Sequence, residues 1–246
     1  CGDGVIDLVE VPRPEPGPGE LLIEVAANGL CGSDHKALEG GHPTIPGHEV
    51  VGTVVERGPE CKTEVGTRIA AYIPLYCGRC RFCKHGAENL CQEKAGLLGW
   101  GTNGGYAETM LLPDRNALEL DDQVSFAEGV LLLDTLGTSG HALRMARCWE
   151  AKSALVIGAG PIGMGAVVML KAFGVPEVYA SEIAPYRRKM AGTFGAVPID
   201  PSSEDLAERI RRDHRYGVDL VVEAVGSWPT IQSSMDLVRP GGIVNL

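Results

Sequence analysis

The sequence contains few aromatic residues and fewer basic than acidic side chains. Only 5% of its 246 residues are aromatic, and 22 Lys and Arg residues face 32 Asp and Glu residues, which gives a formal net charge of −10. This acidic surplus disfavours binding to nucleic acid or another polyanion, because association with phosphate groups requires clustered Lys and Arg. We therefore predict that nucleic acid is not a partner.

Long apolar runs are also absent. The sequence has no run of roughly 18 apolar residues, and its first residues do not combine a basic segment with an apolar one, which argues against a membrane helix and a secretory signal. We predict a cytoplasmic protein that makes no membrane contact. Because the chain opens in an irregular segment and closes on an apolar run, we expect it to be part of a longer polypeptide, truncated at the C-terminus.

The distribution of Gly, Pro and apolar residues changes along the chain. Residues 1–124 hold short β-branched segments between Gly and Pro turns, which predicts a partly open β-barrel. In residues 125–246 an apolar helical stretch precedes strands that alternate with helices of about ten residues, which predicts parallel βαβ units. The fold class is therefore α/β with a β-rich domain, and we place the domain boundary between residues 124 and 125.

The same patterns predict the individual elements. An extended arm is expected at residues 11–20, because its four prolines exclude a helix or a central strand. Strands are predicted at residues 21–27, 50–56, 65–73, 105–112, 154–157, 177–180, 197–199, 218–224 and 242–246. Helical structure is predicted at residues 125–145, 162–173, 184–194, 204–212 and 229–237.

A glycine-rich turn follows the first strand of the second domain. Residues 158–163 read Gly-Ala-Gly-Pro-Ile-Gly, come directly after an apolar strand and open a helix, which is the context in which G-x-G-x-x-G indicates dinucleotide binding. Gly158 permits the tight turn, Gly160 lets a pyrophosphate approach the backbone, and Gly163 lets helix and strand pack closely. The helix start, with Pro161 and Ile162, directs its dipole at the phosphates.

The choice between NAD and NADP depends on the end of the next strand. Glu182 stands there, and a carboxylate at this place accepts the ribose hydroxyls of NAD and repels a 2′-phosphate. Arg187 and Arg188 follow closely and offer positive charge to a 2′-phosphate. We predict NAD as the cofactor, with NADP as the alternative and Arg187 as a further cofactor-binding residue.

Four of the eight cysteines lie close together, as Cys-x2-Cys-x2-Cys-x7-Cys. Disulfide staples are not needed by a chain of this length, and the fourth spacing does not match an iron–sulfur pattern. Four thiolates can close a tetrahedral shell on zinc, which leaves no position for substrate. We therefore predict a structural zinc site at Cys77, Cys80, Cys83 and Cys91.

A second metal site is indicated by Cys31 and His48, which stand in a segment rich in Gly and Pro. Thiolate and imidazole are preferred zinc ligands, and a site with three protein ligands keeps one position open for substrate. Asp134 lies in an apolar helical run, where a lone carboxylate would be costly unless it were paired or bound to metal. Glu49 adjoins His48 and competes with Asp134 as the third ligand.

Taken together, these motifs resemble the zinc-dependent medium-chain alcohol and polyol dehydrogenases across essentially the whole chain. The resemblance rests on Cys31-Gly-Ser-Asp, Gly47-His-Glu, the four cysteines, Gly104-Gly-Tyr-Ala-Glu and the glycine-rich turn. It implies a GroES-like barrel with a Rossmann domain, which is incomplete here, and a catalytic zinc in the cleft between them. It also implies a homodimer or homotetramer of the full-length chain.

The same resemblance implies further residue roles. Ser33 would relay the substrate proton, Thr138 would lie beside the nicotinamide, and Glu49 would be the acidic residue that exchanges onto the metal. Family members often place a histidine five residues after the metal cysteine, whereas this chain has Lys36 there, preceded by His35. The outer end of the proton relay is therefore open between those two side chains.

The function that follows is hydride transfer between an alcohol and NAD. Zinc would bind the alcohol oxygen and lower its pKa, and the resulting alkoxide would transfer hydride to the nicotinamide. The substrate would be a polyol, a sugar or a secondary alcohol. One alternative is a catalytically silent NAD-binding or zinc scaffold. The other is a zinc-free reductase, and such a reductase would need neither the pair Cys31 and His48 nor the four clustered cysteines.

Overall fold

A computed structural model describes residues 2–246, which form two compact units that meet in sequence at Leu133 and Asp134. The predicted boundary between residues 124 and 125 falls in the loop that precedes the last helix of the first unit. Residues 11–17, in the proline-rich arm, form neither helix nor strand, as predicted. No helix of the described residues has the length and apolarity that crossing a bilayer requires.

The first unit is built on a five-stranded antiparallel sheet in the order β4-β1-β2-β3-β5. Its strands are β1 (Glu20–Gly29), β2 (Glu49–Arg57), β3 (Arg68–Ala71), β4 (Thr109–Pro113) and β5 (Ala117–Glu119). Two short helices accompany it, α1 (Asp34–Gly40) and α2 (Phe126–Leu131).

The core of this unit follows the two-residue period of its strands. Alternate side chains of β1, β3 and β4 join one apolar cluster, because successive residues of a strand point to opposite faces. On β1 these are Leu21 and Ile23, while Leu22, which is also fully buried, points to the other face. The β-rich character of the first domain is therefore confirmed, although β5 and α1 were not among the predicted elements.

The second unit contains a five-stranded parallel sheet in the order β10-β9-β6-β7-β8. The strands are β6 (Ser153–Ile157), β7 (Glu177–Ser181), β8 (Val197–Ile199), β9 (Val218–Glu223) and β10 (Val238–Asn245). The helices are α3 (Ser139–Met145), α4 (Pro161–Ala172), α5 (Pro185–Thr193), α6 (Leu206–Asp213) and α7 (Trp228–Leu237).

The strand order reverses at β6, as it does in Rossmann sheets. Both faces of β6 are buried: Ala154 and Val156 pack in one apolar cluster, and Leu155 and Ile157 pack in another. Residues of α4 complete the first cluster, whereas residues of α6 and α7 complete the second. Helices therefore cover both faces of the sheet, as predicted for a doubly wound α/β domain.

The helical run predicted at residues 125–145 is not one continuous helix. It is divided into α2, a π-helical turn at Asp134–Thr138, and α3. A π turn inserts an extra residue per turn and therefore breaks the 3.6-residue pattern without ending the helical run. Asp134, a predicted metal ligand, is the first residue of this turn.

Candidate functional site

The topology of the first sheet explains why distant residues of the sequence meet. β1 and β2 are antiparallel, and the last residue of β1, Gly29, is the register partner of Glu49, the first residue of β2. Cys31 follows the end of β1, and His48 directly precedes the start of β2. The two predicted ligands therefore flank the same end of one strand pair.

Four of the predicted metal ligands form one cluster of donor atoms. The sulfur, the imidazole nitrogen and the carboxylate oxygens of the four side chains all lie within 4.8 Å of one another. His48 and Glu49 are buried, while Cys31 and Asp134 are half-buried. We refer to Cys31, His48, Glu49 and Asp134 as the mixed-donor cluster.

The chemistry of this cluster fits zinc. Sulfur, imidazole and carboxylate are the donors that catalytic zinc sites combine, and three of them leave a position open to substrate. Glu49 is only 8% exposed, so its carboxylate lies in the protein interior beside the other three donors.

Asp34 is a functional candidate that the sequence analysis missed. Its carboxylate is 8% exposed, and its Oδ2 accepts a hydrogen bond of 2.9 Å from the backbone N–H of Cys31. Its Oδ1 lies 3.7 Å from Nδ1 of His48. Asp34 thus contacts two members of the mixed-donor cluster, as outer carboxylates do around metal-bound histidines. Its place three residues after Cys31, at the start of α1, was the available signal.

The side chain of Glu49 occupies space that only glycine leaves open at position 29. A Cβ atom at Gly29 would lie 1.9 Å from Oε2 of Glu49 and 2.8 Å from Cγ1 of Val130. Both distances are shorter than any van der Waals contact. The Glu49 carboxylate therefore packs directly against the backbone of Gly29 at the end of β1.

The four cysteines predicted to bind structural zinc also converge. The Sγ atom of Cys80 lies 3.5 Å from that of Cys83 and 3.9 Å from that of Cys91. A tetrahedral zinc with bonds of about 2.3 Å requires sulfur atoms about 3.8 Å apart, so the spacing fits the metal. We call Cys77, Cys80, Cys83 and Cys91 the cysteine cluster.

Backbone N–H groups prepare the cysteine cluster for a cation. The N–H groups of Arg79 and Cys80 donate hydrogen bonds to Cys77 Sγ and lower the pKa of that thiol. Hydrogen bonds, the largest from the backbone of Cys83, lower the pKa of Cys80 to about 6. At Cys77 and Cys80 these donors favour the thiolate, which is the form that binds zinc, whereas burial and the hydrogen bond with Cys80 raise the pKa of Cys83 to about 12.

The glycine-rich turn has the backbone geometry that a pyrophosphate requires. Gly158 has φ of +88°, and a Cβ atom at Gly163 would lie 1.8 Å from the carbonyl oxygen of Gly158, so both positions require glycine. A Cβ atom at Gly160 would meet no atom within 4 Å, so the backbone there is open to a ligand. Pro161 and Ile162 begin α4, directly after the turn.

Glu182 directly follows β7 and lies against the glycine-rich turn. Its buried carboxylate accepts hydrogen bonds of 2.8 Å from the backbone N–H groups of Ala159 and Ala184. The guanidinium of Arg188 donates to the carbonyl oxygen of Glu182 and forms an ion pair of 2.8 Å with Asp200. Arg187, in contrast, is exposed.

The remaining predicted residues lie outside both clusters. Ser33 is half-buried and precedes α1, while His35 and Lys36 are exposed on that helix. Thr138 is an exposed residue at the end of the π turn. None of the four belongs to the mixed-donor cluster, so the proton relay and the nicotinamide contact stay predictions.

A parallel sheet with a glycine-rich turn, combined with a sulfur–imidazole–carboxylate cluster, defines a zinc-type nicotinamide dehydrogenase. Residues 17–122 match the alcohol dehydrogenase GroES-like domain family, and residues 161–246 match the zinc-binding dehydrogenase family. The chain is 34% identical over 251 residues to the L-threonine 3-dehydrogenase of Pyrococcus furiosus, an alignment covering 98% of this chain and 71% of that protein.

Solved structures agree with this assignment. The alcohol dehydrogenase TADH of Thermus sp. ATN1 is 31% identical, with a TM-score of 0.88 over 97% of this chain and 72% of that one. The 2R,3R-butanediol dehydrogenase of Bacillus subtilis is 28% identical, with a TM-score of 0.88 over 98% of this chain and 73% of that one. The chain belongs to the zinc-dependent medium-chain dehydrogenases and is an oxidoreductase of the alcohol and polyol type. The predicted family and activity are confirmed, and nothing in these comparisons favours a silent scaffold.

Proposed function

We propose that this protein is an NAD-dependent dehydrogenase that oxidises a secondary alcohol with a neighbouring amino or hydroxyl group. The observation that carries this proposal is the mixed-donor cluster, in which sulfur, imidazole and carboxylate ligands converge within 4.8 Å. Zinc lowers the pKa of an alcohol that it binds, and a nicotinamide ring accepts hydride from the alcohol carbon.

The protein's own residues divide the remaining tasks. Cys31, His48 and Asp134 would hold the metal, and Glu49, the first residue of β2, would be the carboxylate that can exchange onto it. Ser33 would receive the proton of the alcohol and pass it outward. His35 or Lys36, which are exposed on α1, would form the outer end of this relay, where one proton is released to water as another arrives from Ser33.

The substrate class follows from the chemistry of the similar proteins. Position 3 of L-threonine carries a hydroxyl beside an amino group, and butanediol with 2R,3R configuration carries two adjacent hydroxyls. Both are secondary alcohols with a second polar group on the neighbouring carbon. We infer the same class here, which includes polyols and ketoses in the reverse direction.

This activity is tested with a panel of L-threonine, 2,3-butanediol, xylitol and ethanol, offered to the zinc-loaded protein with NAD. The absorbance of reduced cofactor reports turnover. We expect kcat/KM to be higher by at least about tenfold for a vicinal amino alcohol or diol than for ethanol, a difference of about 1.4 kcal/mol. Equal rates with all four alcohols would remove the substrate class, and no turnover of any alcohol would remove the proposed function.

The preference for NAD is supported by the carboxylate of Glu182 and the ion pair of Arg188. A 2′-phosphate would meet the charge of Glu182, and Arg188 is already held by Asp200 and by the carbonyl oxygen of Glu182. Of the two neighbouring arginines, Arg187 and Arg188, only Arg187 is exposed to solvent. The charge available to a 2′-phosphate is therefore small compared with the repulsion.

Two arginine variants test this cofactor assignment. Arg188→Ala is expected to lower Tm, because it breaks the bonds that shape the loop after β7, whereas Arg187→Ala is expected to leave Tm unchanged and raise the Kd of NADH. The fluorescence of bound NADH gives the Kd without any turnover. Tighter binding of NADPH than of NADH by the unaltered protein would contradict the assignment.

We also infer that the cysteine cluster holds a second, structural zinc. Its sulfur separations fit a closed tetrahedral shell, and four protein ligands leave no position for substrate. The protein is therefore expected to contain two zinc ions per chain, measured by elemental mass spectrometry.

A further inference from the structure

Tyr106 connects three segments that carry the mixed-donor cluster. Its hydroxyl lies 2.6 Å from Oδ2 of Asp34 and 3.1 Å from the carbonyl oxygen of Gly29. Its backbone N–H donates a hydrogen bond of 3.0 Å to the carbonyl oxygen of Pro46, two residues before His48. Tyr106 thus makes polar contacts with the end of β1, with the start of α1 and with the segment that leads into β2.

The bond from Tyr106 fixes the orientation of the Asp34 carboxylate. Oδ2 accepts from both the hydroxyl of Tyr106 and the backbone N–H of Cys31, and these two bonds restrain the rotation of the carboxylate. The other oxygen, Oδ1, then faces Nδ1 of His48 at 3.7 Å. A hydrogen bond from a phenol to a carboxylate is charge-assisted and stronger than a neutral one, which suits an anchoring role.

Burial and the hydrogen bond to Asp34 raise the pKa of Tyr106 above its usual value, so the phenol keeps its proton and remains a donor at neutral pH. The ring itself lies against the segment before His48, because a Cβ atom at Gly47 would be 3.1 Å from its Cγ atom. The hydroxyl is therefore held in place by the ring contact and by the backbone bond to Pro46.

We propose that Tyr106 is a positioning residue of the catalytic metal centre, which locks Asp34 so that Asp34 orients the imidazole of His48 toward the metal. The inference rests on the proposed zinc site and adds to it a residue that is not among the four donors of the mixed-donor cluster. An outer residue of this kind sets the direction and basicity of the ligand, and its loss typically weakens metal binding by about 10–100-fold.

The test removes only the hydroxyl. Tyr106→Phe keeps the ring contact and the backbone bond, and Tyr76→Phe is its matched control in the same unit, because the Tyr76 hydroxyl donates a 2.7 Å bond to the carbonyl oxygen of Arg115. Metal affinity of the catalytic site is measured by competition with a chelator, and its geometry by the visible spectrum of the Co²⁺-substituted protein.

We expect Tyr106→Phe to lower the affinity for the catalytic metal by about tenfold or more and to shift the Co²⁺ bands, and we expect Tyr76→Phe to do neither. Asp34→Asn should have the same effects, and the double variant should be no weaker than Asp34→Asn alone, because the two residues act in series. A purely structural tyrosine would instead lower Tm without moving the spectrum.

The outcomes separate this inference from the proposed function. If the unaltered protein binds two metal ions and Tyr106→Phe retains both with unchanged affinity and spectrum, the positioning role is wrong and the dehydrogenase proposal stands. If the unaltered protein binds metal at the cysteine cluster alone, both proposals fail. Additive losses in the double variant would also overturn the coupling of Tyr106 to Asp34.

Discussion

At the scale of single residues, the mixed-donor cluster depends on a position that carries no chemistry. Gly29 makes room for the carboxylate of Glu49, since a Cβ atom there would lie 1.9 Å from Oε2. A Cβ atom at Gly32, which directly follows Cys31, would meet no atom within 4 Å. The two glycines flank the same ligand and differ only in the space around them.

This difference leads to a paired prediction. Gly29→Ala should displace Glu49 or the end of β1 and lower both the zinc content of the catalytic site and kcat, by about tenfold or more. Gly32→Ala should retain zinc and activity. Zinc analysis and steady-state kinetics on the two variants check this, and equal behaviour of the two would show that the close approach at Gly29 is relieved without cost.

Sequence reasoning predicted the side chains of the two donor clusters but not the residues that contact them. Cys31, His48 and the four clustered cysteines stand out because few side chains bind zinc and their spacing is short. Asp34 and Tyr106 lie 72 positions apart, and their hydrogen bond exists only because the loop before β4 folds back onto α1. No local pattern reports such a contact, so the outer part of the site could not be predicted.

At the scale of elements, the π turn that begins with Asp134 packs tightly on helix α4. A Cβ atom at Gly165 would lie 2.0 Å from the carbonyl oxygen of Thr135. Ser139 adds a hydrogen bond of 2.8 Å to the carbonyl oxygen of Ile162. The segment that carries Asp134, a proposed metal ligand, and the helix that follows the glycine-rich turn are therefore held together within the second unit.

A substitution at this contact should affect the metal although it lies on the cofactor helix. Gly165→Ala is expected to push the π turn away, to reduce zinc at the catalytic site and to destabilise the protein by about 1–3 kcal/mol, the usual cost of overpacking. Gly192→Ala in α5 is the control, because its nearest neighbour would be 3.6 Å away. That variant should be neutral or slightly more stable. A normal zinc content in Gly165→Ala would contradict the prediction.

The elements themselves were largely predictable in the second unit and less so in the first. Val197–Ile199 is a strand with the predicted limits, and β6, β7 and β9 differ by a residue at one end, because buried parallel strands are short apolar runs between polar helices. α1 was missed because Asp34–Gly40 has no helical apolar period. β5 was missed because it has only three residues, of which two are exposed, and they carry little pattern. The π turn has no sequence signature at all.

At the scale of the whole molecule, each unit has an apolar core of its own. The core of the first unit includes Leu75 and Leu98, which bracket the loop of the cysteine cluster. Loss of that metal should therefore loosen the loop and leave the sheet folded. Cys80→Ser is expected to reduce zinc from two ions per chain to one and to lower Tm, while the far-ultraviolet circular dichroism remains that of the folded protein.

Cys80 belongs neither to the antiparallel sheet of the first unit nor to the mixed-donor cluster. Part of the activity should therefore persist in this variant at low temperature. Elemental analysis, thermal unfolding and kinetics at 10 °C or at about 20 °C below Tm check the outcome. If Cys80→Ser still held two zinc ions, the cysteine cluster would not be the second metal site.

The sulfur separations of the cysteine cluster have a practical consequence. Thiols whose sulfurs are 3.5–3.9 Å apart need to move by less than 2 Å to reach the bond length of a disulfide, about 2.05 Å. A zinc ion bound there would occupy the thiolates and shield them from oxidants. Once it leaves in air, oxidation competes with reloading, so demetallated protein should recover its metal only when a reductant is present from the moment of removal.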